Sequence, residues 1–144
     1  MPDENVVKRI MPHNIEAEQS VIGSMIMDRD AIMKASEILH GDDFYSHQYG
    51  VIFDAMVEMY NAGEVVDLIT LQNKLKEKDL PPEVSSLEFV KDLLGRVPTS
   101  ANVEYYAKIV ADKSMLRRLI RVNEDIAYKC YAGKDELEIL LEDT

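Results

Sequence analysis

The sequence predicts an all-α protein: a compact multi-helix head, followed by a long helix and the start of a helical hairpin. Three observations carry that expectation. Gly and Pro number only 6 and 5 in 144 residues, Trp is absent, and hydrophobic residues make up 47%, a profile that suits a helical globule with a sizeable core. The stretch from about Asn102 to Tyr131 contains neither Pro nor Gly. At about 1.5 Å per residue it forms a rod of about 45 Å, as long as or longer than the roughly 35–40 Å breadth expected of a domain this size. Upstream of it, short apolar runs at three- and four-residue spacing alternate with turn residues.

Taken in order, residues 1–11 are polar and unpatterned and read as a flexible tail, residues 12–100 as the helical head, and residues 101–144 as the hairpin. Pro12-His13-Asn14 is a start signal. Asn14 is placed to cap the first helix, and Glu16 and Glu18 follow in its first turns, where acid suits the helix dipole. Ala17, Val21, Ile22, Met25 and Ile26 form its apolar face up to Asp28. Gly23 inside it costs about 1 kcal/mol against Ala, which points to a close helix–helix approach. Asp30 is expected to cap a second short helix ending near Leu39, and His40-Gly41-Asp42-Asp43 to form a turn.

A third helix fits His47 to Asn61, with Val51, Ile52, Ala55, Met56 and Met59 inward and Gly63 ending it. Asp67 caps a fourth, carrying Leu68, Leu71 and Leu75 and stopped by Leu80-Pro81-Pro82. Leu87, Phe89, Val90, Leu93 and Leu94 make a fifth, closed by Gly95 and Pro98. The 8 methionines are read mainly as core filling, with Met25, Met27, Met33, Met56 and Met59 mostly facing inward.

On the rod, Ile109, Leu116, Leu119, Ile126 and Cys130 line one stripe, and Tyr106, Val110, Ile120, Ala127 and Tyr131 line its neighbour. Together they form a band wider than a coiled-coil seam, which needs a cover. Asn123 lies within the band, either fixing register in a helical seam or standing partly exposed. The opposite side carries Glu104, Lys108, Asp112, Arg118, Asp125 and Lys129. Glu104–Lys108, Arg121–Asp125 and Asp125–Lys129 are spaced for i,i+4 pairing, each worth a few tenths of a kcal/mol. After Gly133, Asp135 with Glu138 reads as a capping box for a further helix bearing Leu137, Leu140 and Leu141. The chain stops at Thr144 without a C-cap, so the sequence reads as ending inside a helical hairpin of a longer protein.

The formal net charge of −11 argues against binding DNA by general electrostatics. Nothing approaches a run of about 18 apolar residues, so no membrane span is expected. The N-terminus lacks the layout of a signal peptide. The single cysteine permits no internal disulfide. The chain therefore reads as cytoplasmic, with Cys130 as a small buried hydrophobe.

No catalytic, cofactor or metal site is expected. The phosphate loop G-x-x-x-x-G-K-[ST] is missing: Gly133-Lys134 is followed by Asp135, and Tyr128 stands where the first Gly belongs. ATP hydrolysis by this chain alone is therefore not expected. His40, Asp42, Asp43 and His47 match neither zinc nor EF-hand spacing and read as a capped turn.

Lys113, Arg117 and Arg121, with Arg118 beside them, form a basic patch amid a chain whose first 100 residues carry 9 basic and 18 acidic side chains. It suits either a phosphate contact, making the chain a helical DNA-binding module, or charge pairing with acids. The second fits better, because Glu136, Glu138, Glu142 and Asp143 lie just across a hairpin turn and a second subunit would supply more.

Four blocks in order carry a family resemblance. Pro12-His13-Asn14-Ile15-Glu16-Ala17-Glu18-Gln19-Ser20-Val21-Ile22-Gly23 resembles the opening signature of bacterial DnaB-type replicative helicases. Asp43-Phe44-Tyr45 with Ile52-Phe53, then Val66-Asp67-Leu68-Ile69-Thr70-Leu71, then Val97-Pro98-Thr99-Ser100-Ala101-Asn102-Val103 with Tyr105-Tyr106-Ala107 resemble the next three. They cover nearly all of residues 12–133. Ser85-Ser86 stands where the family usually has a glycine pair, which bears on that turn alone.

The resemblance implies the N-terminal domain of a ring helicase, in which hairpins pair two subunits, three pairs form a collar on a hexamer, and the collar docks primase. ATP and magnesium, DNA and a helicase loader would then be matters for the parent protein. The interface expected on the rod comprises Tyr106, Ile109, Val110, Leu116, Leu119, Ile120, Asn123, Ile126 and Ala127, with Lys113, Arg117 and Arg121 as intersubunit charge partners. Glu16, Glu18 and Phe89 are the candidate primase contacts.

Overall fold

The computed structural model describes residues 10–82, 91–92, 94–95, 102–133 and 137–142. Among them the regular structure is helical: α1 (Ile15–Met27), α2 (Arg29–Ser36), a 3-10 turn (Gly41–Asp43), α3 (His47–Asn61), α4 (Leu68–Glu77), α5 (Val103–Ala132) and α6 (Leu137–Glu142). The all-α expectation is met. The chain divides into two compact units, His13–Asp112 and Met1–Pro12 with Lys113–Thr144. The division falls inside α5, because the first turns of that helix belong to the core of the first unit.

Local caps set the helix starts. The Asn14 side chain accepts the Ala17 N–H at 3.0 Å, opening α1 as expected. Asp67 accepts the Thr70 N–H while the Thr70 hydroxyl accepts the Asp67 N–H, each at 2.9 Å, a closed capping box on α4. The Thr70 backbone N–H, helped by its hydroxyl, holds the Asp67 carboxyl below its ordinary 3.8.

The cap of α2 differs from expectation. Asp28, not Asp30, occupies it, in extended backbone at φ −142° and ψ 119°, and accepts the Asp30 N–H. One residue thus closes α1 and opens α2. Gly63 and Gly133 take φ of +73° and +64° at the ends of α3 and α5, a conformation that costs a residue with a Cβ. Most of the expected fifth helix, with Leu87, Phe89, Val90 and Leu93, lies outside the described residues, as does the Asp135 cap. Lys91, Asp92, Leu94 and Gly95 are helical.

The head's core is built from one face of each helix. Val21, Ile22 and Met25 of α1, Ala31, Ile32 and Ala35 of α2, Ile52, Phe53, Met56 and Met59 of α3, and Leu71 and Leu75 of α4 are buried. Val103, Ala107 and Val110 of α5 join them. Members of each set recur at three- or four-residue intervals, with adjacent pairs at Val21-Ile22, Ala31-Ile32 and Ile52-Phe53 that widen the face, so each helix turns one broad stripe inward. Met27 and Met33, expected inward, are exposed.

Gly23 is buried within α1. Gly41 and Gly50 make close approaches: a Cβ on Gly50 would strike the Gly41 carbonyl, and one on Gly41 would strike the Asp54 carboxylate, which accepts the Gly41 N–H at 3.0 Å. On the surface, Lys78 at the C-cap of α4 and Lys74 within it reach Glu58 of α3 at 2.8 and 3.4 Å, and these contacts hold its carboxyl below the ordinary 4.5.

Candidate assembly interface

The stripe that α5 carries changes character along its length. Within the head, Val110 is buried and Tyr106 and Ile109 pack against the same core, so these three of the expected interface residues already have partners in their own chain. From Lys113 onward the stripe opens. Leu116 is 44% exposed, Leu119 52% and Tyr131 92%, with Met115, Val122 and Tyr128 exposed among them. Ile120 and Ile126 are half-buried, and Ala127 is exposed.

Asn123 is exposed and donates through Nδ2 to the Leu119 carbonyl at 2.9 Å, one turn back on its own helix. Cys130, expected as a buried hydrophobe, is exposed: its stripe lacks the cover that the upstream turns have. In α6, Leu140 is buried while Leu137, Ile139 and Leu141 are exposed.

The charged side of this unit is less uniform than the sequence suggests. Arg117 is 3% exposed, and its guanidinium donates to the Pro12 carbonyl at 2.9 Å, a contact across 105 positions. It is a packed strut rather than a surface cation. Lys113 is half-buried, and Arg118 and Arg121 are exposed. Asp125 and Lys129 form the expected i,i+4 pair at 3.2 Å.

The other candidate contacts lie in the head and part ways. Glu16 is exposed, its carbonyl accepting the Ser20 hydroxyl. Glu18 is 1% exposed and turned inward. Its two carboxylate oxygens accept the backbone N–H groups of Tyr45 at 2.8 Å and Ser46 at 3.1 Å, at the mouth of α3. Charge-assisted bonds from two backbone donors explain how a carboxylate is tolerated there. The residue is therefore withdrawn from any docking surface, and its work is to seat the loop entering α3. Beside it, His13 stacks on Tyr45, ring centroids 3.9 Å apart and planes within 7°. Gln19 donates to the Tyr49 hydroxyl at 3.0 Å.

No sequence signal marked this clamp, because its partners lie 27 and 28 residues away. Phe89 is outside the described residues. Among the described residues no group of His, Cys, Asp and Glu could hold a metal ion, and no helix is long and apolar enough to cross a membrane.

With this geometry established, the likeness to known proteins is specific. A model of the DnaB-like helicase N terminal domain matches residues 10–112, ending where the head unit ends. The chain is 47% identical over 133 residues to the replicative DNA helicase DnaC of Bacillus subtilis (strain 168), covering 92% of this chain and 29% of that protein. It is 44% identical over 136 residues to the replicative DNA helicase DnaB of Geobacillus stearothermophilus, covering 94% and 30%. The crystal structure of the N-terminal domain of DnaB helicase from Mycobacterium tuberculosis superposes with a TM-score of 0.87 at 34% identity, covering 92% of this chain and 95% of that one. The chain thus spans about 29% of the length of the first of these relatives.

Proposed function

The chain belongs to the family of DnaB-like helicase N-terminal domains, and on that premise we propose that it is the non-catalytic assembly module of a replicative DNA helicase. In this reading the helical hairpin begun by α5 and α6 pairs with the same elements of a second copy, and three such pairs build a hexamer. The assembled collar docks primase during DNA replication, and a helicase loader acts on the same assembly. The parent protein would carry the ATP- and magnesium-dependent motor and the DNA contact.

One observation carries the pairing: the run of exposed apolar side chains, Met115, Leu116, Leu119, Val122, Tyr128 and Tyr131, on a single continuous helix. Exposed apolar side chains gathered on one helix mark an interaction site. Burying an aliphatic side chain contributes about 1.5–3 kcal/mol before ordering costs. Two or three crossing the interface sustain a dimer of roughly micromolar affinity. The pairing surface is therefore Leu116, Leu119, Ile120, Asn123, Ile126 and Ala127, with Lys113 and Arg121 as charge partners. Tyr106, Ile109 and Val110 support it from within the head. For primase, Glu16 is the contact that stands on the surface.

Sedimentation over a concentration series tests the pairing. Self-association that strengthens into the tens of micromolar is expected, and a strict monomer throughout that range overturns the reading. The DNA-binding alternative is weaker than the sequence made it, because Arg117, the middle of the basic patch, is spent on the Pro12 carbonyl.

A further inference from the structure

The head carries a second apolar surface, built from residues of the His13–Asp112 unit. The C-terminal end of α1 and the N-terminal turn of α4 border an open groove of about 380 Å³ lined by Ile26, Met27, Asp67, Leu68, Ile69 and Leu94. Two of these side chains are far from buried: Ile69 is 69% exposed and Met27 47%. Neither is explained by the head's core. Met27 is unbranched and adaptable, suited to a surface that repacks around a visitor.

The side of the groove formed by α1 and α4 is negative. Asp67 lines the groove and Asp28 follows Met27 directly. Arg29, the basic residue beside them in sequence, is turned elsewhere: its guanidinium donates to the carbonyls of Glu64 at 2.8 Å and Tyr60 at 3.4 Å and lies 4.6 Å from the Tyr60 ring centroid. Lys74 of α4 and Lys78 just past its end are engaged with Glu58. Across residues 13–112 there are 8 Lys or Arg against 18 Asp or Glu.

We propose that this groove docks an amphipathic helix of a partner protein, apolar on the side that enters and carrying Lys or Arg beside its anchors. Apolar anchors spaced three and four apart would fill the Met27–Ile69 cleft, as in other helix-in-groove complexes. The basic flank would meet Asp28 and Asp67. Charge complementarity selects this occupant over the others. A second copy would bring the same acidic rim against this one, and α6, with Glu138 and Glu142, is acidic too. Nucleic acid and anionic membrane are repelled by the same field. The proposal is independent of pairing through Lys113–Thr144, because its residues lie in the other unit.

The test titrates the isotope-labelled 144-residue chain with two short helical peptides, one of leucine and lysine, the other of leucine and glutamate. The lysine peptide should bind, shift the resonances of Ile26, Met27, Leu68, Ile69 and Leu94, and weaken as salt rises. Ile69→Lys should weaken it by about tenfold or more, with helix content held by circular dichroism, and Ile69→Ala should weaken it less. Equal binding of the glutamate peptide, shifts centred elsewhere, or no loss in either Ile69 variant overturns the proposal. So does loss of self-association in Ile69→Lys, which would make a second copy the occupant. Loss of self-association in Leu119→Lys with peptide binding intact is expected, and it separates the two surfaces.

Discussion

In the head, apolar residues set three and four apart on α1, α3 and α4 end up buried; on α5 beyond Asp112 the same spacing leaves Leu116, Leu119 and Val122 in solvent. One helix shows both outcomes, since Val103, Ala107 and Val110 are inside and their downstream counterparts are not. The difference teaches that helical periodicity declares a face that wants cover and is silent about who covers it. It also locates two kinds of contribution. Substitutions in the head should cost stability, and substitutions on the distal half of α5 should cost association.

The largest effect expected is in the head. Phe53→Ala should remove about 3–5 kcal/mol in urea unfolding, because a fully buried aromatic leaves a cavity that its neighbours fill only in part. A midpoint unchanged from the parent would mean that the head's core is not where its stability resides. Next comes Glu18→Ala, which removes the carboxylate that accepts the Tyr45 and Ser46 N–H groups at a part-buried place, at roughly 1–3 kcal/mol. Glu18→Gln should restore part of that, since the amide keeps one acceptor; equal loss in both variants would argue that shape rather than hydrogen bonding matters there.

Leu119→Lys inverts the pattern. Unfolding should move by less than about 0.5 kcal/mol, as for other exposed sites, while sedimentation shows association lost. A destabilised but still associating variant would erase the distinction between the two regions.

The smallest effect is the acid response of the α3–α4 surface. Glu58 is held below its ordinary 4.5, so its contribution is present above that pH and is lost as pH falls through the lowered folded value. Because the group is fully exposed, the effect should be slight and weaker still in high salt. Glu58→Gln should flatten that part of the acid limb in a pH series of unfolding midpoints, and an identical limb would place the acid sensitivity elsewhere.

What was legible in the sequence follows from the range of the interactions involved. Asn14 and Asp67 were readable as caps because a cap bonds to a backbone group three residues on. The bounds of α3 and α5 were readable because Gly63 and Gly133 end them with a positive φ. Even at this range competition misleads: Asp28 and Asp30 are both good caps, and the extended backbone that follows α1 settles on the first. The candidate site was less legible. Glu18 looked like a dipole-favouring surface acid, and Arg117 looked like one of three equivalent cations on a helix face.

By itself, then, the sequence determined the described helices, the caps of α1 and α4 and most of the stripe each turns inward, because these rest on propensity, on periodicity and on hydrogen bonds only a few residues long. Only the tertiary structure decided which stripes found partners. It sent the Glu18 carboxylate to two amides in the α3 loop and the Arg117 guanidinium to the Pro12 carbonyl. It also left Leu116, Leu119 and Cys130 uncovered. Burial depends on what the whole chain brings to a surface, and a local pattern carries no record of that.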